Sequence, residues 1–573
     1  MGHFSEPHIC QCLSRIATAR RASAVTVAGG RQMTGPQFVE AVLRLAHALL
    51  RLGLKPGDVV AISAYNSDCY LEWLLAVAFV GGIVAPLNYR WSANEARSAM
   101  LAVNPVMLVT DTSCISWYSE LHRDGTPSLK WHVFLDSLSL PFPRNGKCLS
   151  FHVLVSTMGM LDLHMITPPS PFSTADYVWA RDGAVIICFT SGTTGKPKGV
   201  AIGHSALFIQ SMAKIAICGY SENDVYLHTA PLCHIGGLSS AMAMLMAGAC
   251  HVLIPKFEAK SAIEVIEKQD VTALITVPAM VADLISFLRE KGPWKGKDCV
   301  KKILNGGGSL SMDLIKEAGN FFPRAKILSA YGMTETCSSL TFITLYSPHF
   351  SFSSQPLHFH VGTDLSSIQR PRGICVGKPA PHVELRTDGD DSMGIGKILT
   401  RGPHLMIGYW DQVRSSVCNI HSWFDTGDVG FIDGQGQVWL IGRESGRIKT
   451  GGENVYPEEV EAILFQHPGV AGIVIVGIPD ARLTEMVVGC IRVKENWLWS
   501  DKSHELGAEK QECLLSDEIL RQYCRDRNLT GFKIPKIFIP WKKPFPTTTT
   551  GKIRRDVVCQ EVVSHVRCIR SNL

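Results

Sequence analysis

No stretch of this sequence is both apolar and long enough to cross a bilayer. Residues 74–87 are apolar but fall short of the ~20 residues a helical span needs, and Gly81, Gly82 and Pro86 break the run. Residues 236–255 run longer, but Ser239, Ser240 and His251 interrupt them, and they divide into a small-residue helix and a strand at 251–254. Charge of one sign is also lacking. The 56 Lys and Arg nearly balance the 51 Asp and Glu, and a net +5 over 573 residues is too weak to imply nucleic acid while suiting small anionic substrates. The 18 cysteines are scattered among apolar runs with no pair of CxxC clusters, which excludes a disulfide scaffold and a zinc site and reads as reduced intracellular thiols. His349, His358 and His360 have no carboxylate or thiol at ligand spacing and make no metal site. No secretory signal is visible, and Glu6 stands where N-myristoylation requires Ser or Thr.

What is present is a long chain of ordinary globular composition, with 46% hydrophobic and 19% charged residues, enough for at least two domains. From Arg31 to about Tyr346, helical patterns (38–53 and 70–79) alternate with short β-branched runs at 59–63, 106–110, 185–189, 273–277 and 327–330. Such alternation predicts an α/β fold, with layered subdomains and mostly parallel sheets. Residues 116–174 are looser in pattern, and the polar, His- and Ser-rich segment 347–371 reads as a loop insertion. After the strand 438–441 the texture changes to short strands and helices. That places a boundary near 443–445 and predicts an N-terminal domain, 1–444, followed by a smaller α+β domain, 445–573.

The chemistry concentrates in loops. Thr190-Ser191-Gly192-Thr193-Thr194-Gly195-Lys196-Pro197-Lys198-Gly199-Val200 follows the 185–189 strand. Its glycines let backbone amides approach an oligophosphate, its hydroxyls add donors, and Lys196 and Lys198 neutralise charge. The spacing is not that of a Walker A loop. In this order the segment resembles the phosphate loop of the adenylate-forming superfamily, which includes acyl-CoA synthetases, luciferases and peptide-synthetase adenylation domains. Four further matches follow in the family's order: Tyr331-Gly332-Met333-Thr334-Glu335, residues 423–428, Gly442-Arg443 with 448–452, and residues 546–552.

The resemblance implies a set of roles. Thr190 to Lys198 would cover the β- and γ-phosphates of ATP, Thr334 would contact the α-phosphate, and Glu335 would hold Mg²⁺, a hard cation suited to a carboxylate oxygen. Gly306, Gly307, Gly308 and Tyr331 would flank the adenine, and Asp428 and Arg443 would fix the ribose. Lys552 would stabilise the transition state of adenylation, and His234 would line the acyl pocket. The family then rotates a mobile C-terminal domain to admit coenzyme A. Its hinge residue is usually Asp or Lys; here it is Ser445, followed by Gly446. Lys449, Gly451 and Gly452 would border the pantetheine path.

Residues 231–238 and 304–310 look like those of 2-succinylbenzoate–CoA ligases of menaquinone and phylloquinone synthesis, and residues 7–13 and Ser571-Asn572-Leu573 are similar to the plant members. That implies a small carboxylate, ATP and CoA as partners. It also implies a chloroplast or peroxisome location: Arg15, Arg20 and Arg21 with Ser14 and Ser23 faintly suggest a transit peptide, and the last three residues resemble a peroxisomal signal. Because the likeness begins near residue 7, a long cleavable leader is not expected. Two alternatives share every ATP motif: an acid–CoA ligase for another aromatic or medium-chain acid, and an enzyme loading a carrier protein. A non-catalytic homologue is disfavoured by the intact Lys552, Glu335, Asp428 and Arg443.

Overall fold

The structure is a computed structural model that describes residues 6–20, 22–114, 117, 128–135, 148–150, 173–181, 183–191, 197–348, 373–389, 394–411, 422–450, 453–480, 483–500, 513–527, 529, 531–548 and 552–571. The chain forms two compact units. One comprises Met1–Pro356, Val376–Glu384 and Arg401–Trp423, and the other Leu357–Cys375, Leu385–Thr400 and Phe424–Leu573.

The first unit holds two large sheets. One runs in the order Thr341–Tyr346, Lys326–Tyr331, Lys302–Asn305, Ala273–Thr276, Val225–His228, Cys250–Leu253, Ala24–Ala28 and Arg31–Thr34. Its six middle strands are parallel, and the outermost pairing on each side is antiparallel. The other centres on the parallel strands Ile83–Pro86, Val59–Ser63, Met107–Thr110 and Trp131–Phe134, and is extended by the antiparallel hairpin of Ala184–Ser191 with Pro197–Gly203. Central strands such as Val59–Ser63 are buried throughout, as expected where helices cover both faces. The predicted strands all form, with ends shifted by a residue or two.

Helix starts follow local chemistry. Ser92 and Glu95 exchange hydrogen bonds in a capping box that opens Ala93–Val103, and Ser67 caps Asp68–Phe79 by accepting from the amide of Tyr70 at 3.1 Å. The first apolar run resolves into the Asp68–Phe79 helix and the Ile83–Pro86 strand; no helix among the described residues is long and apolar enough to cross a membrane. The second run becomes the Ile235–Ala247 helix and the Cys250–Leu253 strand. That helix is buried on every side from Gly237 to Ala247, which explains its lack of a polar face.

The second unit contains the antiparallel strands Gly396–Arg401, Phe424–Ile432 and Val438–Arg443, and a smaller α+β module. The module is built on the long hairpin of Val470–Asp480 with Thr484–Val493. Alternate residues of this hairpin feed two cores. Ile473 and Ile475 pack with the Pro457–Leu464 and Asp517–Asp526 helices, while Val474, Val476 and Ile478 pack against Val558 and Val562 of the C-terminal helix.

Candidate functional site

In the first unit, the predicted residues follow the carboxyl ends of neighbouring parallel strands, where open α/β sheets usually bind ligands. The Val225–His228 strand leads into the loop that ends at His234, the residue preceding the Ile235–Ala247 helix. Asn66 pins that loop: its Oδ1 accepts from the amide of Leu232 at 2.9 Å, and its Nδ2 donates to Ala230 O at 3.1 Å. Gly237 is required here, because a Cβ would lie 2.3 Å from Pro231 O, whereas Gly236 faces open space.

The Lys302–Asn305 strand leads into Gly306, Gly307 and Gly308. Asn305 Nδ2 closes this loop by donating to Gly308 O at 2.7 Å, and Gly307 takes the left-handed φ of +71° that glycine tolerates. The adjacent Lys326–Tyr331 strand leads into Thr334 and Glu335. Leu340 N donates back to Tyr331 O at 2.7 Å, making a tight knot in which a Cβ on Gly332 would lie 1.6 Å from Ser338 O. Glu335 is buried within it.

The phosphate-loop hairpin pairs Thr190 with Lys198 and Ser191 with Pro197. Gly192, Thr193, Thr194, Gly195 and Lys196 lie outside the described residues. The hairpin is tied to the acidic motif through a residue the sequence reading missed. Gly408–Tyr409 pairs with the Pro197–Gly203 strand, and Met406 N donates to Glu335 O at 2.9 Å. The Tyr409 hydroxyl then donates to Glu335 Oε1 at 3.1 Å, while the Lys198 ammonium sits 5.6 Å from the centre of the Tyr409 ring. Tyr409 lies 74 residues after Glu335, and only the fold joins them.

Behind the knot, the His204–Cys218 helix buries two polar side chains one turn apart. Gln210 Nε2 donates to Thr336 O and Ser339 O at 3.2 and 2.7 Å. Lys214 donates to Ser239, Ser240 and Ser338, and burial lowers its pKa to about 8. Sequence reasoning passed over both, although a lysine on the face of Leu207 and Cys218 was the available signal.

A single buried carboxylate suits a magnesium ion that takes most of its ligands from phosphates and water. No cluster of three metal-binding side chains occurs among the described residues, so Glu335 fits that role and a fully protein-built site does not.

In the second unit, Asp428 and Arg443 are directly opposed across strands, and Arg443 Nε donates to Asp428 Oδ1 at 3.0 Å. The Asp428 carboxylate is buried, while the Arg443 side chain is half exposed. Arg443 precedes a single turn, Glu444–Gly446, that contains Ser445. Lys449 lies in the strand Ile448–Thr450, opposite Asn454; Gly451 and Gly452 lie outside the described residues. Lys552 closes a small loop. Its carbonyl accepts from Thr548 N at 2.7 Å, its amide donates to Thr548 Oγ1 at 3.2 Å, and Thr547 pairs with Ile553. The residue itself is exposed.

Residues 14–410 match the AMP-binding enzyme family and residues 459–552 match the AMP-binding enzyme C-terminal domain. The chain belongs to the AMP-binding enzyme family. It is 55% identical over 581 residues to the 2-succinylbenzoate–CoA ligase, chloroplastic/peroxisomal, of Arabidopsis thaliana, with 100% of both chains covered. It is 31% identical to an indoleacetate–CoA ligase of Aromatoleum aromaticum, covering 93% of this chain and 94% of that one. Among solved structures it superposes on the o-succinylbenzoate CoA synthetase (MenE) of Bacillus subtilis, solved with the acyl-adenylate OSB-AMP. The TM-score is 0.72 at 24% identity, with 96% and 97% of the chains covered, which shows a shared fold.

Proposed function

We propose that this chain is an ATP-dependent acid–thiol ligase that converts 2-succinylbenzoate to its CoA thioester through an acyl-adenylate, in phylloquinone or menaquinone synthesis. The observation that carries this reading is the 55% identity, over both full lengths, to the Arabidopsis ligase. That relative is named chloroplastic/peroxisomal, and we assign this chain to the same compartments.

Adenylation sets a carboxylate against a phosphate, anion against anion, so the protein must gather positive charge and hold the attack in line. Thr190 and Ser191, with Gly192 to Lys196 and Lys198, bind the outer phosphates, and Thr334 binds the α-phosphate. Glu335, oriented by Tyr409, holds Mg²⁺, which when bound shields the phosphate charge. Gly306 to Gly308 and Tyr331 flank the adenine. Asp428 accepts from the ribose hydroxyls while Arg443 fixes its carboxylate. Lys552 stabilises charge on the α-phosphate and the attacking carboxylate. His234 lines the acyl pocket. For the thioester step, the segment from residue 445 onward acts as a lid that turns about Ser445 and Gly446, removes Lys552 and opens a path beside Lys449, Gly451 and Gly452.

The test is CoA-dependent AMP release by the purified protein with Mg-ATP and a panel of 2-succinylbenzoate, indoleacetate, 4-coumarate, benzoate and octanoate. Highest kcat/KM with 2-succinylbenzoate, with its thioester detected, is expected. Preference for another acid would keep the chemistry and discard the substrate.

A further inference from the structure

The most unusual polar group in the first unit is a lysine with no acidic partner. Lys214 is 1% exposed, and its ammonium donates to Ser239 Oγ at 2.6 Å and to Ser240 Oγ and Ser338 Oγ at 3.2 Å. No carboxylate among the described residues is bonded to it; the groups that act on its charge are the thiols of Cys218 and Cys337. An ammonium buried among neutral hydroxyls is costly unless a counter-ion joins it. Its pKa of about 8 keeps it largely charged at neutral pH.

Its surroundings tie it to the acyl site. Ser239 and Ser240 lie one helical turn beyond Gly236, the glycine with open space beside it, and Gly236 is two residues from His234. Ser338 is three residues beyond Glu335 and adopts a φ of +105°, a conformation costly for a residue with a side chain. Its hydroxyl reaches the ammonium from that conformation. Each serine that accepts from Lys214 keeps its own O–H, so the cluster offers both a positive charge and hydroxyl donors to an incoming anion.

We propose that Lys214, with the hydroxyls of Ser239, Ser240 and Ser338, forms an anion subsite at the inner end of the acyl pocket that receives the aromatic carboxylate of the substrate. This rests on the reading of the substrate above. The subsite selects acids bearing a second carboxylate and leaves the reacting carboxylate to the Thr334–Glu335 side.

The experiment compares kcat/KM for 2-succinylbenzoate and 3-benzoylpropanoate, which keeps the ring and chain but lacks the aromatic carboxylate. The wild-type full-length protein is measured first. If it shows no preference for 2-succinylbenzoate, the substrate reading fails, and this inference with it. Given that preference, Lys214→Met is expected to reduce the ratio of the two kcat/KM values roughly tenfold to a hundredfold, mainly through KM. A variant that loses activity on both acids equally, or retains the wild-type ratio, overturns the subsite and leaves the substrate reading intact. Should Lys214→Met not fold, the double variant Ser239→Ala with Ser240→Ala decides by the same ratio. A fall supports the subsite, and an unchanged ratio overturns it.

Discussion

The hydroxyl of Tyr409 donates to Oε1 of Glu335 across 74 residues of sequence, and the same ring faces the ammonium of Lys198. One tyrosine thus couples the end of the phosphate-loop hairpin to the carboxylate assigned to Mg²⁺. A hydrogen bond to a charged group is worth about 1.5–3 kcal/mol. Tyr409→Phe keeps the ring and loses only the donor. We expect kcat/KM for Mg-ATP to fall roughly tenfold, with a higher Mg²⁺ requirement. Unchanged Mg²⁺ dependence in a titration of AMP release would show that Tyr409 does not orient Glu335.

Gly332 is a site of steric necessity. A methyl at this position would lie 1.6 Å from Ser338 O, and a backbone carbonyl cannot swing aside like the end of a side chain. Gly332→Ala must therefore open the knot that holds Thr334, Glu335 and Ser338. A loss of at least about 3 kcal/mol in unfolding free energy is expected, as for other disruptive backbone clashes. Urea denaturation followed by tryptophan fluorescence measures it, and a midpoint matching wild type would refute the clash.

Much of this arrangement was legible in the sequence, and the reason is local. The strands at 59–63 and 273–276 are apolar runs whose burial on both faces leaves no alternation to confuse, so their positions emerge within a residue or two. Gly306 to Gly308, Thr334 and Glu335 sit in contiguous loops whose composition declares them. Tyr409, Gln210 and Lys214 did not declare themselves. Tyr409 acquires its partner only when a two-residue strand joins the Pro197–Gly203 edge, and Lys214 acquires its serines only when the His204–Cys218 and Ile235–Ala247 helices lie side by side. Pairwise contacts of this kind depend on tertiary packing, which a single sequence does not encode as a local pattern.

A pH dependence follows from His228 and His251, buried in neighbouring parallel strands with Nε2 and Nδ1 2.9 Å apart. Burial holds His228 well below its ordinary 6.5, with the His251 ring adding to the effect, and burial together with Arg20 lowers His251 to about 3. The unfolded chain therefore takes up protons first as pH drops below 6.5. Stability from these two groups is complete above that value and is lost on acidification. Each contributes a slope of up to about 1.4 kcal/mol per pH unit below 6.5. Urea midpoints should fall between pH 6.5 and 5. Replacing both histidines with asparagine should make that fall shallower, the remainder belonging to His8, His204, His382 and His404, which burial also holds low; an equally steep fall in the double variant would assign it to those groups alone.

The two half-reactions make opposite demands on Lys552. Adenylation needs a cation over the α-phosphate, and the lysine is exposed on a loop closed by the Thr548 and Lys552 backbone, well suited to presenting a charged tip. Thioester formation instead needs the acyl carbonyl open to a thiol, and a lysine over the phosphate contributes nothing to that attack. Lys552→Ala should therefore slow AMP-forming adenylation by roughly 10²- to 10³-fold, as for loss of other preorganised charge donors. The same variant, supplied with synthetic acyl-adenylate and CoA, should form thioester at close to the wild-type rate. Single-turnover assays separate the two steps. If both half-reactions slow alike, Lys552 is positioning the whole C-terminal module, and the division of labour between two lid positions must be abandoned. If only adenylation slows, the division of labour holds, and Ser445 with Gly446 becomes the segment in which a proline is expected to block the second step alone.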